Sequence, residues 1–220
     1  DLVIGRVGST GTALAYNPAS QLTSVARSNP AYAYGGRYNI GRPYTVNGRN
    51  QYATAGSVTF GSDGRGNLTA SGLDTFTYTS ENRLAVVQPS GQGSAALLYD
   101  ATGRLYRQTI GASITSFEWV GGALVSELAT NGGIAERYVP GPDGLTPVVW
   151  YRGNGTGDRR WLHADERGST VAVSDASGQA LALNSHDEYG IPAASNLGRV
   201  QYTGHLWMPE IGLTYARARM

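Results

Sequence analysis

The chain has no cysteine and no lysine. The first absence removes disulfides and thiolate metal ligands, and with them any reading of redox compartment. The second makes all 17 basic residues arginine, set against 16 acids for a net charge of +1. Acids and arginines are interspersed, so no electrostatic footprint for nucleic acid is visible. Even the densest cationic stretch (Arg152, Arg159, Arg160, Arg167) is interrupted by Asp158, Asp165 and Glu166. No apolar run approaches the roughly 18 residues of a membrane span. The N-terminus, Asp1-Leu2-Val3-Ile4-Gly5-Arg6, lacks the charged head and long apolar middle of a signal peptide. Runs of Ala, Leu and Glu that would build long helices are missing as well.

Glycine and tyrosine are what the chain has in quantity. Gly accounts for 31 of 220 residues, about twice the usual share. Tyrosines number 14 against 3 phenylalanines. This composition suits many short strands joined by tight turns, where a tyrosine packs its ring and keeps its hydroxyl wet. The length is enough for a sizeable core. The chain starts without Met and stops abruptly at Ala216-Arg217-Ala218-Arg219-Met220, so both ends read as cuts within a longer polypeptide.

The organising stretch is Leu98–Gln108. Two alternating runs flank Asp100-Ala101-Thr102-Gly103; the acid accepts backbone N–H bonds and the glycine supplies the φ > 0 that closes a short loop. That pattern reads as a β-hairpin, and it recurs. Tyr16–Leu22, Val46–Tyr52, Ser62–Leu68 and Tyr78–Leu84 follow the template Tyr99–Leu105, with Asn82 in the glycine slot of the fourth copy, and His186–Gly190 keeps the acid and the glycine. The closing apolar residues fall at 22, 52, 68, 84 and 105, at intervals of 30, 16, 16 and 21. Two strands and two turns fill the shorter intervals. The longest contains Pro30, Gly35, Gly36, Gly41 and Pro43 and reads as a repeat with an insertion.

Further strands are predicted at Ser57–Phe60, Thr75–Thr79, Leu84–Gln88, Ala95–Tyr99 and Leu105–Ile110, and a hairpin over 113–128 turning at Gly121-Gly122. Ile134–Val139, Val148–Tyr151, Arg160–His163 and Ala180–Leu183 follow. The fold class is all-β: a ribbon of antiparallel hairpins with no convincing linker.

At this point the residues resemble the Rhs/YD-repeat family. Tyr99-Asp100-x-x-Gly103-Arg104-Leu105 matches the motif that names it. His163–Ser169, Ser174–Gly178, His186–Gly190, Tyr202–Gly204 and Glu210–Arg217 resemble its Rhs-associated core region, with a departure at His186, where the family usually has Tyr. The resemblance divides the chain into a YD-repeat ribbon over 1–160 and a core region over 161–220, truncated at its C-terminal end, within one continuous structure. It implies a ribbon curving or spiralling as part of a shell, which encloses the variable C-terminal toxin of a bacterial polymorphic toxin; insecticidal toxin-complex proteins are relatives. The aspartate-based self-cleaving motif that follows the core region in the family lies beyond this sequence. The resemblance therefore implies a structural protein without catalysis or cofactor, secreted or at a bacterial cell surface. Its partners would be the rest of its own polypeptide and an enclosed toxin segment.

The expected structural residues are Tyr16, Tyr78 and Tyr99 as rungs, Asp63, Asp100 and Asp187 as turn acceptors, and Gly66, Gly103 and Gly190 at turns. His163 and Asp165 share a strand face by spacing, yet the segment reads equally as a turn, and no metal site is expected. Asp165-Glu166 and Asp187-Glu188 read as turn acids rather than catalytic pairs, because sequence neighbours on a strand point to opposite faces. Two other functions stay open. With no lysine to blunt them, free sheet edges would pair into an oligomer or filament. Alternatively Tyr32, Tyr34, Tyr38, Tyr44 and Tyr52, interleaved with Arg37, Arg42 and Arg49, would form an aromatic surface for glycans.

Overall fold

The recurring turn fixes the architecture. In the computed structural model, which describes residues 2–4 and 8–217, a five-residue loop closes the same way in copy after copy. The first residue donates its N–H to the carbonyl of the fifth, and the fourth donates to the carbonyl of the first, as in Asp100 N to Arg104 O (2.8 Å) and Gly103 N to Asp100 O (2.9 Å). The fourth residue is left-handed throughout: Gly66, Gly103, Gly168, Gly178 and Gly190, but also Ser20, Asn50 and Asn82. A type I turn followed by a left-handed residue is a three-residue hairpin connection with a bulge. The bulge appears as a register shift beside the loop, where Tyr99 pairs with Leu105, Tyr78 with Leu84 and Tyr16 with Leu22.

The strands are β1 Leu2–Ile4, β2 Gly8–Thr10, β3 Thr12–Tyr16, β4 Leu22–Arg27, β5 Tyr44–Val46, β6 Tyr52–Ala55, β7 Val58–Ser62, β8 Leu68–Ser71, β9 Asp74–Tyr78 and β10 Leu84–Gln88. They continue as β11 Ala95–Tyr99, β12 Leu105–Ile110, β13 Ser113–Val120, β14 Ala123–Leu128, β15 Ile134–Pro140, β16 Pro147–Arg152, β17 Arg159–Ala164, β18 Thr170–Ser174, β19 Ala180–Leu183, β20 Leu206–Met208 and β21 Leu213–Tyr215. No α-helix occurs among the described residues. Strands β5 to β19 form one 15-stranded sheet in strict sequence order; β1–β2, β3–β4 and β20–β21 are separate pairs. The all-β hairpin ribbon expected from the sequence is the observed fold. The insertion after β4 has a topological effect, because the β3–β4 hairpin stands outside the ladder although it carries the same loop.

The chain resolves into two compact units, one of Asp1–Arg37, Trp119–Ser126 and Ile134–Trp207, the other of Tyr38–Glu118, Glu127–Gly133 and Met208–Met220. In the second unit the loops at 47–51, 63–67, 79–83 and 100–104 line one rim. The other rim carries two-residue connections at Gly56-Ser57, Gly72-Leu73 and Gly111-Ala112. There only the leading glycine has positive φ (+61°, +61° and +57°), which is the type II′ turn matched to strand twist. One sheet face of this unit is buried through Phe76, Val87, Ala95 and Leu97. Tyr215 is buried too, and its hydroxyl accepts the Leu105 N–H at 2.9 Å. In the first unit Tyr32 is buried with Val171 and Ala172, with Ala180 and Leu183 packed against them.

Candidate functional site

The turn acceptors are local constructions. Asp63 Oδ1 accepts from the N–H groups of Arg65 and Asn67, each at 2.9 Å, and its Oδ2 accepts from the Asn67 side chain. Asp100 Oδ1 accepts from Thr102 N and Arg104 N, and Oδ2 from the Arg104 side chain. Asp187 Oδ1 takes Tyr189 N and Ile191 N. Hydrogen bonds to a carboxylate favour its charged form. The Thr102 hydroxyl, then the Arg104 donors, hold Asp100 well below the usual carboxylate range, and the Asn67 side chain lowers Asp63.

Successive loops of this rim are tied to each other. Arg65 Nη1 donates to Ser80 O at 2.8 Å, and Asn67 Nδ2 to Asn82 Oδ1 at 3.1 Å. One loop further on, the Arg83 guanidinium lies over the Tyr99 ring, 5.6 Å from its centre, and presses against Gly103. A Cβ at 103 would sit 2.2 Å from Arg83 Nη1 and would make that flexible guanidinium swing aside, so what requires glycine here is φ +84°. The Tyr99 hydroxyl donates to Leu84 O at 2.9 Å, and burial raises its phenol to about 12. Of the other two predicted rungs, Tyr78 is half-buried and Tyr16, on the detached hairpin, is 58% exposed.

In the first unit three of the family-like segments, His163–Ser169, His186–Gly190 and Tyr202–Gly204, converge. Asp165 Oδ1 holds its own loop through Arg167 N and Ser169 N, while the side chain is only 6% exposed. Its Oδ2 lies 4.0 Å from Arg27 Nη2 and 3.8 Å from Arg167 Nη2. Arg27, from β4, also donates to Tyr32 O, so one guanidinium links the hairpin, the Pro30–Tyr32 turn and the Asp165 loop. Arg167 stacks over Tyr202 at 5.2 Å and donates to its hydroxyl. Gly190 abuts the same ring, since a Cβ there would lie 2.5 Å from it. His186 bonds Gln201 at 2.9 Å, and Asn196 donates to Gln201 Oε1; burial keeps the His186 imidazole below its ordinary pKa. Of these residues Arg27, Tyr32, Asp165, Arg167, His186 and Tyr202 line a cavity of about 460 Å³. Sequence reasoning missed Arg27, Asn196 and Gln201, because their partners are remote or lie in an irregular loop.

His163 meets Ser174 Oγ at 2.8 Å and His205 meets Thr203 Oγ1 at 2.6 Å, so the three histidines serve separate contacts. Among the described residues no three His, Asp or Glu side chains gather as metal ligands. The five tyrosines at 32–52 do not share one surface. Tyr32 is 1% exposed and offers no free ring face, because it fills the core beside Val171. Tyr34 lines the cavity. Tyr38, Tyr44 and Tyr52 are exposed, the last two with ring centres 5.2 Å apart and planes tilted by 48°.

Comparison with solved structures places this ribbon. It matches the Photorhabdus luminescens Tc holotoxin pore carrying TccC3-D651A with a TM-score of 0.59 at 18% identity, over 95% of this chain and 11% of that one. It matches a crystal structure of TcdB2-TccC3-Cdc42 with a TM-score of 0.57 at 14% identity, over 96% of this chain and 15% of that one. By sequence it is 28% identical over 180 residues to the tRNA3(Ser)-specific nuclease WapA of Bacillus spizizenii. The chain resembles the Rhs/YD-repeat proteins. The tRNA nuclease WapA of Bacillus subtilis is 26% identical over the same length. Each WapA alignment covers 77% of this chain but only 8% of the relative. No family model matches the sequence.

Proposed function

We propose that this Rhs/YD-repeat chain is a wall segment of a β-shell that encloses or presents a C-terminal toxin of the same polypeptide. On this reading it has no catalysis of its own and needs no cofactor. The observation that carries it is the 15-stranded ladder in unbroken sequence order. Such a ladder satisfies backbone groups strand by strand and yields a surface continuous at the level of the main chain. Residues 1–160 would be the ribbon proper and 161–220 the start of the core region. The tyrosine rungs, turn acids and turn glycines named above would serve to keep the wall in register. Secretion or display at a bacterial surface goes with this role. The test is limited proteolysis of the whole polypeptide with a protease-sensitive reporter in place of its C-terminal region. Protection of the reporter until the wall is denatured is expected; cleavage at the rate of free reporter would refute enclosure.

A second reading rests on β5 and the β3–β4 hairpin, whose residues are almost all exposed, including Leu14, Tyr16, Leu22, Val25, Tyr44 and Val46. Open edges with apolar side chains are templates for further strands, so this chain alone would pair into oligomers or filaments. Electron microscopy over a concentration series distinguishes such assemblies from isolated curved particles. The exposed Tyr44–Tyr52 pair also keeps the glycan-binding reading open; glycan-array binding lost in Tyr44→Ala would support it.

A further inference from the structure

Three Asn-Gly dipeptides occur, at Asn47, Asn131 and Asn154. In such a pair no Cβ shields the glycine nitrogen, which can attack the preceding side-chain amide. Two of the three are restrained. Asn47 Oδ1 accepts from Arg49 N and Gln51 N, and Nδ2 donates to Gln51 Oε1 at 2.9 Å. Asn131 Oδ1 accepts from Gly133 N at 2.9 Å. Asn154 is exposed in the 153–158 loop between β16 and β17, and its side chain has no partner among the described residues.

The strands flanking that loop supply an independent observation. Register sets Arg137, Tyr151 and Arg159 opposite one another on β15, β16 and β17. Arg137 stacks over Tyr151 at 5.1 Å and Arg159 over Trp161 at 5.2 Å. Both Nε atoms are buried without a hydrogen-bond partner. By alternation this face of the three strands also carries Ala135, Val139, Val149 and His163, and no carboxylate. The reverse face is balanced: Glu136 accepts from Trp150 and pairs with Arg152, and Asp158 takes Arg160 through two bonds of 3.0 Å. Arg137 reaches the asparagine's loop directly by donating Nη2 to Gly155 O.

We propose that Asn154 is a self-modification site, whose conversion to aspartate or isoaspartate supplies the carboxylate that the Arg137–Arg159 face lacks. The Gly155 nitrogen bonds to Asn154 Cγ and gives its proton to solvent. The Cγ–Nδ2 bond then breaks and the nitrogen leaves as ammonia. Water opens the resulting five-membered imide at one carbonyl to give aspartate, or at the other to give isoaspartate. No oxidant or reductant is involved. Cationic groups beside the loop stabilise the negative charge that develops during attack, and they remain as partners for the product carboxylate.

The test is incubation of the chain at mildly alkaline pH, followed by peptide mapping with mass spectrometry. Asn154 is expected to convert about tenfold faster than Asn47 or Asn131, since each of those must first break its own hydrogen bonds. Arg137→Gln is expected to slow Asn154 several-fold and leave the other two unchanged. Asn154→Asp, which installs the product directly, is expected to raise the Tm of the otherwise unaltered chain. Equal rates at the three sites would overturn the proposed site. An unchanged Asn154 rate in Arg137→Gln, or an unchanged or lowered Tm in Asn154→Asp, would overturn its electrostatic part.

Discussion

In the Asp100 loop both carboxylate oxygens are used within five residues, with Oδ1 on two backbone N–H groups and Oδ2 on Arg104. In the Asp165 loop Oδ1 makes the same pair of bonds, but Oδ2 lies near both Arg167 of its own loop and Arg27 on a different hairpin. The Asp100 side chain is 27% exposed and the Asp165 side chain 6%. One turn thus serves two ends: alone it sets register, and buried against a cation it also holds a hairpin that lies outside the ladder. The local hydrogen bonds are common to both, and the environment of the second oxygen makes the difference.

That comparison can be broken most severely at Gly103. Gly103→Val adds strain at φ +84° and makes Arg83 swing off the Tyr99 ring, and is expected to cost about 2–4 kcal/mol. Gly178→Val has φ +83° but open space around it, so strain alone should cost about 1–2 kcal/mol. Equal losses of Tm in the two would show that the Arg83 contact is immaterial. Next, Asp165→Ala removes two loop bonds and the partner of Arg27, for about 2–4 kcal/mol. Asp165→Asn keeps the loop acceptor and should recover about half of that loss. Full recovery would mean that the charge facing Arg27 does not matter.

The pH dependence separates the two ends of the scale. The folded pKa values of Asp100 and Asp63 are depressed, so their contribution is present above the unfolded value near pH 4 and lost as pH falls through the folded values. Asp100→Asn should flatten the acid limb of the stability curve. Tyr99 is raised to about 12, so its contribution is present below the unfolded value near 10 and lost between there and about 12. Tyr99→Phe, which also loses the bond to Leu84 O, should cost about 1 kcal/mol at neutral pH and blunt the alkaline loss. The smallest effect has the opposite sign. Ser20 holds the left-handed position at φ +61° with a side chain, and Ser20→Gly should stabilise by about 0.5 kcal/mol. A destabilised variant would show that Ser20 earns its place through a contact of its own.

Much of the ladder was readable because its signals are short-range. Leu84–Gln88, Ala95–Tyr99, Leu105–Ile110 and Ala180–Leu183 fall on the predicted limits, since an Asx acceptor and a left-handed residue punctuate the chain within five positions. Asn82 in a glycine slot was legible for the same reason, whereas Ser20 was not, because serine carries no left-handed signal. The first-unit assembly was hidden. Nothing near Arg27 announces a partner at Asp165, and Tyr32 looks like its neighbours Tyr34 and Tyr38 until Val171 and Ala172 bury it. The detached β3–β4 hairpin was equally silent: its loop obeys the repeat, and only the pairing of β5 shows where the ladder ends.

The strict strand order has a mechanical consequence. When each strand of the ladder pairs only with its predecessor and successor, tension applied at one end loads chiefly the ladder bonds of a single hairpin at a time. A sheet built this way resists pressure spread over its face yet peels from its margin, strand after strand, under a modest steady pull.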